Sequence, residues 1–576
     1  MFWTLITLLT LSLLPSPSLT KNSTLHNPIF PGFHPDPSCI FLPHPNQTFY
    51  CVSSSFNAFP GIPIHSSQDL QNWHLIGHVL NRKEQLPRLA ETNRSTSGIW
   101  APTLRYKDGV FWVTTTLVND HLPQTEEDRW DNIIFSSSGD ISDDASWSEA
   151  KHFELVGYDP ELFWDENTGK TYVNAAHAWQ VGAYIVQNEI DLSNGGELIG
   201  EWRVIWNGTG GLAPEGPHIY FVDGLYYLLA AEGGTGVNHM VTMARSKSVQ
   251  GPFEGYEGGN PVLTNANTSS YFQTVGHADL FEDAKGNWWA VALATRSGPE
   301  YLHYPMGRET VLTAVRWEKG GFPIFTPVSG EMSVWPLPVS ADTISPESIN
   351  SDAEELLTFG PGTNLPKHLV HWRYPNPDHF AVSPEGHENT LRLFPSNINL
   401  TGLNGNYAGP EGQSFVGRRQ QHTLFTFSVD LDFTPTDLEE EAGVTAFLTQ
   451  NHHLDLGIVL LPDQKTGENK LTPHLRFRGE SYLPVTKEVA VPVEEEWRGK
   501  TLTLEIRARN ETHFEFGFGL KGGGDIKIVA VSGNEVLSWG FTGALLGVYC
   551  TNNGNGGTTP GYFSNWSYVP RGQFRG

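Results

Sequence analysis

A turn followed by a run of aromatic and β-branched residues recurs along the first half of the chain, and its period constrains the fold more than any other feature. It occurs as Phe49-Tyr50-Cys51-Val52, Gly109-Val110-Phe111-Trp112-Val113, Gly169-Lys170-Thr171-Tyr172-Val173, Gly224-Leu225-Tyr226-Tyr227-Leu228 and Gly286-Asn287-Trp288-Trp289-Ala290-Val291. With Phe49, Phe111, Thr171, Tyr226 and Trp288 as anchors, the spacings are 62, 60, 55 and 62 residues. Each run reads as a strand leaving a tight turn, and an apolar strand precedes each turn, at 38–42, 103–106, 161–164, 218–222 and 278–282. Five hairpins with room for two further strands each describe five four-stranded blades, the radial repetition of a β-propeller. A large sandwich or a β-helix fits less well, because sandwich turns recur every ~8–12 residues without a longer period. The 59 glycines, 39 prolines and only 17% charged residues agree with an all-β body rich in turns.

One position in each unit carries unusual chemistry. Asp36, Pro102, Asp159, Glu215 and His277 fall 13, 9, 12, 11 and 11 residues before their anchors. Equivalent positions on the first strand of each blade converge on the propeller axis. Three of the five are acids set in backbone stiffened by proline: Asp36-Pro37, Asp159-Pro160 and Pro214-Glu215-Gly216-Pro217. A single Asp-Pro is an ordinary turn signal; agreement in phase makes the set a candidate site.

Three convergent carboxylates suit either a hard cation, which takes six to eight oxygens, or a division of acid and base duties. The expected surroundings, Phe56, Phe59, Trp100 and Trp179 with His218 and His239, favour the second, since apolar rings around polar groups match the faces and edges of sugars. The chain has no phosphate-binding loop, dinucleotide fingerprint, metalloprotease His-Glu helix or Gly-x-Ser-x-Gly elbow. Cleavage of a glycosidic bond needs one acid to protonate the leaving oxygen and one carboxylate to activate water or attack carbon. Glu215 is the candidate general acid, with Asp159 placed to raise its pKa, and Asp36 is the candidate base.

At these residues the chain resembles glycoside hydrolase family 43, specifically β-xylosidases with an appended C-terminal β-sandwich. The matching segments include 27–38, Gly98-Ile99-Trp100-Ala101-Pro102, Tyr158-Asp159-Pro160, Glu215-Gly216-Pro217-His218, Ala231-Glu232-Gly233-Gly234-Thr235, Gly276-His277-Ala278-Asp279-Leu280 and Gly307-Arg308-Glu309-Thr310. The resemblance implies a five-bladed propeller that hydrolyses glycosides with inversion. It assigns Asp36 as base, Glu215 as acid and Asp159 as the group that orients the acid and tunes its pKa. It also implies that Arg308 hydrogen-bonds hydroxyls of the terminal sugar and that Phe56 and Trp100 wall its subsite. His277 matches an axial histidine that holds a calcium ion in some members and water in others, so no cofactor is required and a structural calcium at His277 is the alternative.

Residues 21–340 form the expected propeller, 341–364 read as a linker and 365–576 as the sandwich. Alternation resumes at 422–429, 502–506 and 526–531, as two packed sheets require. The acid runs 439–441 and 494–496 read as solvated turns or edges. A sandwich beside a glycosidase could serve as a carbohydrate-binding module. The resemblance implies instead that it closes the active-site pocket with a loop for which Phe541 is the candidate, a core phenylalanine being the alternative there.

The remaining features concern compartment and partners. Residues 1–20 read as a secretory signal peptide, with a membrane anchor as the alternative, and the leader lacks Lys or Arg ahead of its apolar run. Eight Asn-x-Ser/Thr sequons, at Asn22, Asn46, Asn93, Asn207, Asn267, Asn399, Asn510 and Asn565, agree with a secreted glycoprotein. Of three cysteines, Cys39 and Cys51 are equidistant from residue 45, and a hairpin centred there would set them opposite each other for a bridge; two small buried side chains are the alternative. With 36 Lys and Arg against 63 Asp and Glu, a net charge of −27 excludes a nucleic-acid backbone binder. The expected activity is exo-acting release of xylose from non-reducing ends of xylo-oligosaccharides or arabinoxylan fragments. An α-L-arabinofuranosidase or a bifunctional enzyme is the rival, and a non-catalytic glycan-binding protein the third reading. Oligomeric state is not legible.

Overall fold

The computed structural model describes residues 23–338, 344–402, 412–463 and 470–576; the leader at 1–20 and the Asn22 sequon lie outside them. Five antiparallel sheets follow in chain order, and each is built from one continuous stretch of sequence. Their inner strands are Ser38–Leu42, Thr103–Lys107, Gly157–Asp165, Glu215–Val222 and Phe272–Glu282. Each inner strand pairs with the strand that leaves the repeated turn. The second blade carries a short extra strand, Gly98–Ile99. The ring is closed by a separate ladder in which Ser23–His26 pairs with Glu331–Trp335, so first and last blades are joined without exchanging strands. Apolar residues alternate along these strands, and the clusters they form lie between neighbouring blades.

In the first hairpin Cys39 faces Cys51 across the ladder, and the two form a disulfide with Cα atoms 4.2 Å apart. Cys550 is free and buried.

The C-terminal body is two sheets, of eight and six strands among the described residues, packed face to face over a large apolar core. Residues 344–357 of the segment expected to be a linker are held by specific contacts instead. Ser345 and Asn350 hydrogen-bond Asn72 and Gln71, Ile349 bonds Trp73, and Glu355–Leu357 forms a strand against Gly561–Gly572. Low hydrophobic periodicity hid the segment, because it is held by scattered contacts: hydrogen bonds to the first blade, Phe359 in the sandwich core and a strand against the C-terminal strand. The acid run 439–441 also differs from expectation. Glu440 and Glu441 are buried: Glu441 pairs with Arg476 at 2.6 Å and Arg478 at 3.2 Å, and Glu440 accepts the Thr436 and Thr559 amides at 2.7 Å. Counter-charges from a strand distant in sequence are invisible to a local reading. The run 494–496 is exposed, as expected.

The two bodies share a core. Ala58–Phe59 of the propeller pairs with His371–Trp372 of the sandwich, and Phe33, Phe56, Trp372, Phe415 and Phe447 bury together. Burial of each such side chain contributes roughly 1.5–3 kcal/mol, so the sandwich is held against the propeller by packing.

Candidate active site

The inner strands begin with backbone that ordinary residues avoid. Asp36, Asp159 and His277 have φ of +53°, +55° and +49°, and Gly216 has +55°. The ladder slips beside three of them, between Tyr158 and Glu161, Glu215 and His218, and Gly276 and Asp279. Such bulges re-aim a side chain, here toward the axis. A left-handed non-glycine residue costs about 1–3 kcal/mol, which the packing and hydrogen bonds around each acid must offset.

The ladder register also refines the symmetry read from the sequence. Asp36, Ala101, Asp159, Gly216 and His277 each stand two residues before Ser38, Thr103, Glu161, His218 and Asp279, which occupy matching ladder positions. Glu215 is therefore one residue ahead of the strict equivalent of the two aspartates. Glycine fills the equivalent position because a Cβ on Gly216 would lie 2.8 Å from His277 Nε2.

One pocket gathers Asp36, Asp159, Glu215, His277, Arg308, Phe56, Trp100 and Phe541, together with Ala101, Tyr158 and Thr235. Every catalytic and substrate-binding candidate from the sequence lines it. Phe59 does not: it packs against Tyr374, ring centres 4.7 Å apart. Trp179 also lies outside the lining, on an exposed loop. His218 contacts Arg105 below the pocket, and His239 packs behind Gly276. Aromatic type and nearby sequence position could not separate these from the true wall.

The three acids sit in different fields. Asp36 accepts from Ser54 Oγ at 2.6 Å and from Arg308 at 3.0 and 3.4 Å. Burial alone would raise its pKa, but Arg308, His277 and Ser54 outweigh it and hold the carboxyl below the ordinary aspartate value. Near neutral pH Arg308 carries this effect, because burial lowers His277 to about 4 and leaves it uncharged. Glu215 accepts from Tyr158 OH at 3.0 Å, and Asp159 from the Gly216 amide at 3.1 Å. Burial lifts Glu215 to about 7, the Tyr158 hydroxyl opposing and Asp36 adding to the rise. Asp159 is pushed well above its usual value by burial and by the Glu215 and Asp36 carboxylates. The two form a coupled pair that retains a proton to higher pH than either would alone. An ionised carboxylate thus faces a protonated pair across one cavity.

The sandwich contributes the remaining wall. Its loop at 540–544 crosses the propeller loop before Arg308 so closely that a Cβ on Gly307 would sit 2.1 Å from the Thr542 carbonyl, and one on Gly543 2.1 Å from that of Met306. This approach sets Phe541, half-buried, against Phe56 and Trp100, ring centres 5.7 and 5.9 Å away. Arg308 donates Nε to the Phe541 carbonyl at 3.1 Å, with its guanidinium over both phenylalanine rings. Two of its five N–H groups remain for a ligand. Tyr158, Ser54 and Thr235 were missed as site residues by the sequence reading, although Tyr158 and Thr235 lie within the motifs it singled out.

A calcium at His277 would need an oxygen-rich cage. The carboxylate beside it, Asp36, is committed to Arg308 and Ser54, and one level down Asp279 and Glu161 are neutralised by Arg105. Among the described residues no three His, Cys, Asp or Glu side chains are grouped to hold a metal, so the residues present do not fit a calcium centre.

Comparison with known proteins identifies the family. Residues 25–323 match the model of glycosyl hydrolases family 43, and 359–569 match the β-xylosidase C-terminal concanavalin A-like domain. A non-reducing end α-L-arabinofuranosidase of Bacteroides ovatus is 32% identical over 94% of both chains. A β-xylosidase of Bacillus subtilis is 27% identical, covering 94% of this chain and 99% of its own. The crystal structure of a xylan β-1,4-xylosidase from Bacillus halodurans superposes with a TM-score of 0.79 at 26% identity, over 95% of this chain and all of that one. The chain belongs to glycoside hydrolase family 43 and carries the C-terminal domain of the β-xylosidase type.

Proposed function

We propose that the protein is an exo-acting β-1,4-xylosidase that releases xylose from the non-reducing ends of xylo-oligosaccharides with inversion. The observation that carries the reading is the pocket: Phe541 of the sandwich closes one side of it against Phe56 and Trp100, which suits a terminal sugar better than a chain threading through. Asp36, held ionised by Arg308, takes a proton from water as it attacks the anomeric carbon. Glu215, protonated to about pH 7 by burial, delivers its proton to the leaving oxygen. Asp159 orients the acid through the Gly216 amide and delays its ionisation. Phe56, Trp100 and Phe541 pack on the ring, and the free Arg308 donors bind hydroxyls. No step passes through a metal or cofactor.

The second reading, an α-L-arabinofuranosidase or bifunctional enzyme, is favoured by the name of the Bacteroides ovatus relative; the same carboxylates serve both sugars. Turnover of aryl β-xyloside against aryl α-L-arabinofuranoside decides between them. On xylohexaose, steady release of xylose, first as the α-anomer, supports the exo-inverting reading, whereas early mid-sized products or β-xylose refute it. Xylan and arabinoxylan fragments are the proposed substrates, and secretion through the leader with glycosylation of exposed sequons is proposed for the compartment.

A further inference from the structure

Two residues beyond the pocket ring, about 7 Å along each inner strand, lies a second ring: Ser38, Thr103, Glu161, His218 and Asp279. Arg105 of the second blade reaches into it. Its guanidinium donates to Asp279 at 2.9 and 3.2 Å, to Glu161 at 2.7 Å and to Ser38 at 3.3 Å, and lies 3.0 Å from His218 Nδ1. Ser38 and Tyr220 also donate to Asp279, at 2.6 and 2.7 Å. Glu161 accepts in addition from Asn174 and the Ile219 amide. One side chain thereby joins the inner strands of all five blades, and the pocket work described above does not use it.

We propose that Arg105 is a positioning residue for the hydrolysis: an internal cation at the propeller axis that fixes how far apart and at what angle Asp36, Asp159 and Glu215 stand. The proposal rests on the reading of those three acids as the working groups. The strand geometry carries it. Asp36 is two residues from Ser38, Asp159 two from Glu161, Glu215 three from His218 and His277 two from Asp279. In each pair the pocket residue, or Gly216 after Glu215, is left-handed, and on three blades a bulge follows, so the chain needs an anchor just beyond. A planar fork with five donors can hold two carboxylates, a hydroxyl and an imidazole at once, which an ammonium cannot. The same guanidinium supplies the positive charge that an axial metal ion would otherwise bring to Glu161 and Asp279.

Removing Arg105 alone leaves two buried carboxylates facing each other, and Arg105→Met can fail to fold for that reason. The decisive variant is therefore the neutral set Arg105→Met/Glu161→Gln/Asp279→Asn, with Arg105→Lys beside it and folding checked by circular dichroism and melting. On whichever aryl glycoside the wild type cleaves, the neutral set should lose about 100-fold in kcat with KM within about threefold. The alkaline limb of its pH profile should move down as the Asp159–Glu215 pair spreads, and Arg105→Lys should recover part of the loss. A folded neutral set with unchanged kcat and pH profile overturns the proposal, as does a wild type that loses activity to a chelator and regains it with calcium. If the wild type cleaves neither aryl glycoside, the reading of the acids falls. Arg105 is then tested by the pH titration of the Trp100 resonance in 5-fluorotryptophan-labelled protein, assigned with Trp100→Phe, which must differ between wild type and neutral set; identical curves refute its positioning role.

Discussion

Replacing Gly216 by alanine adds one methyl group at the point where Glu215, Asp159 and His277 meet. Two penalties follow. The residue has φ of +55°, where any L side chain costs about 1–2 kcal/mol. The new Cβ also falls 2.8, 2.9 and 3.1 Å from three atoms of the His277 ring, which is itself buried and strained; forced overpacking of this kind costs about 1–3 kcal/mol. The collision pushes either His277 toward Asp36 or the Gly216 amide away from Asp159, and displacement near 1 Å in a catalytic constellation costs about 100-fold in rate. Gly224 provides the control: it lies in the turn of the same blade with φ of +79° and nothing within 4 Å of its Cβ position. Gly224→Ala should lower the melting temperature through strain alone and leave kcat unchanged. Gly216→Ala should lower it further and reduce kcat about 100-fold on the aryl glycoside that the wild type cleaves. Equal rates in the two variants would show that the Gly216–His277 contact does not position the acids.

The pH profile should be bell-shaped: the rate falls above about pH 7 as the Glu215 pair loses its proton, and on the acid side only once Asp36, held low by Arg308, is protonated. Arg308→Met removes that hold, so the acid limb should move to higher pH, and an unmoved limb would refute the pairing. Phe541→Ala opens the wall beside Arg308 and should lower kcat/KM about 10–100-fold with the fold intact, measured on xylobiose or the corresponding aryl glycoside. Reduction of the Cys39–Cys51 bridge should lower stability by about 2–4 kcal/mol, read as a shift in melting between oxidised and reduced protein. Of the described sequons, Asn46, Asn93, Asn207, Asn267, Asn510 and Asn565 are exposed, whereas Asn399 is half-buried and donates to Asn553. Peptide mapping of secreted protein should find glycan on the exposed set and none at Asn399.

What the sequence revealed was what repetition or local chemistry encodes. The five hairpins were legible because each aromatic run follows a turn at a nearly fixed interval, and strands at 38–42 and 103–107 begin where the repeat places them. Asp36 and Asp159 were legible because proline marks each one. Glu215 was found by the same phase but for a slightly wrong reason, since the bulge after it shifts the register by one. The second ring went unread although Ser38, Thr103, Glu161, His218 and Asp279 share one register. Their residue types are dissimilar, and the partner that unites them, Arg105, gives no periodic signal. Glu441, whose counter-charges lie 35 residues and more along the chain, and the ordered segment at 344–357, whose partners lie hundreds of residues away, depend on contacts for which one sequence carries no pairing information; Phe541 was reached only through the resemblance.

The division of labour between the two bodies follows from these limits on local encoding. A propeller delivers side chains to its axis from below and from the sides, and it leaves the top of a shallow funnel open to solvent. Burial is the first-ranked cause of the raised pKa of both Glu215 and Asp159. Their protonation therefore depends on whatever excludes water from that side. Phe541 does so with a ring against Phe56 and Trp100, and its backbone carbonyl fixes Arg308, which in turn keeps Asp36 ionised. One loop of the sandwich thus acts on Asp36 and Glu215, the proposed base and acid, in opposite senses, and the close crossing at Gly307 and Gly543 leaves that loop little room to withdraw. The same wall closes one side of the pocket, so the proposed restriction to chain ends and the tuning of the acids would have a common physical origin.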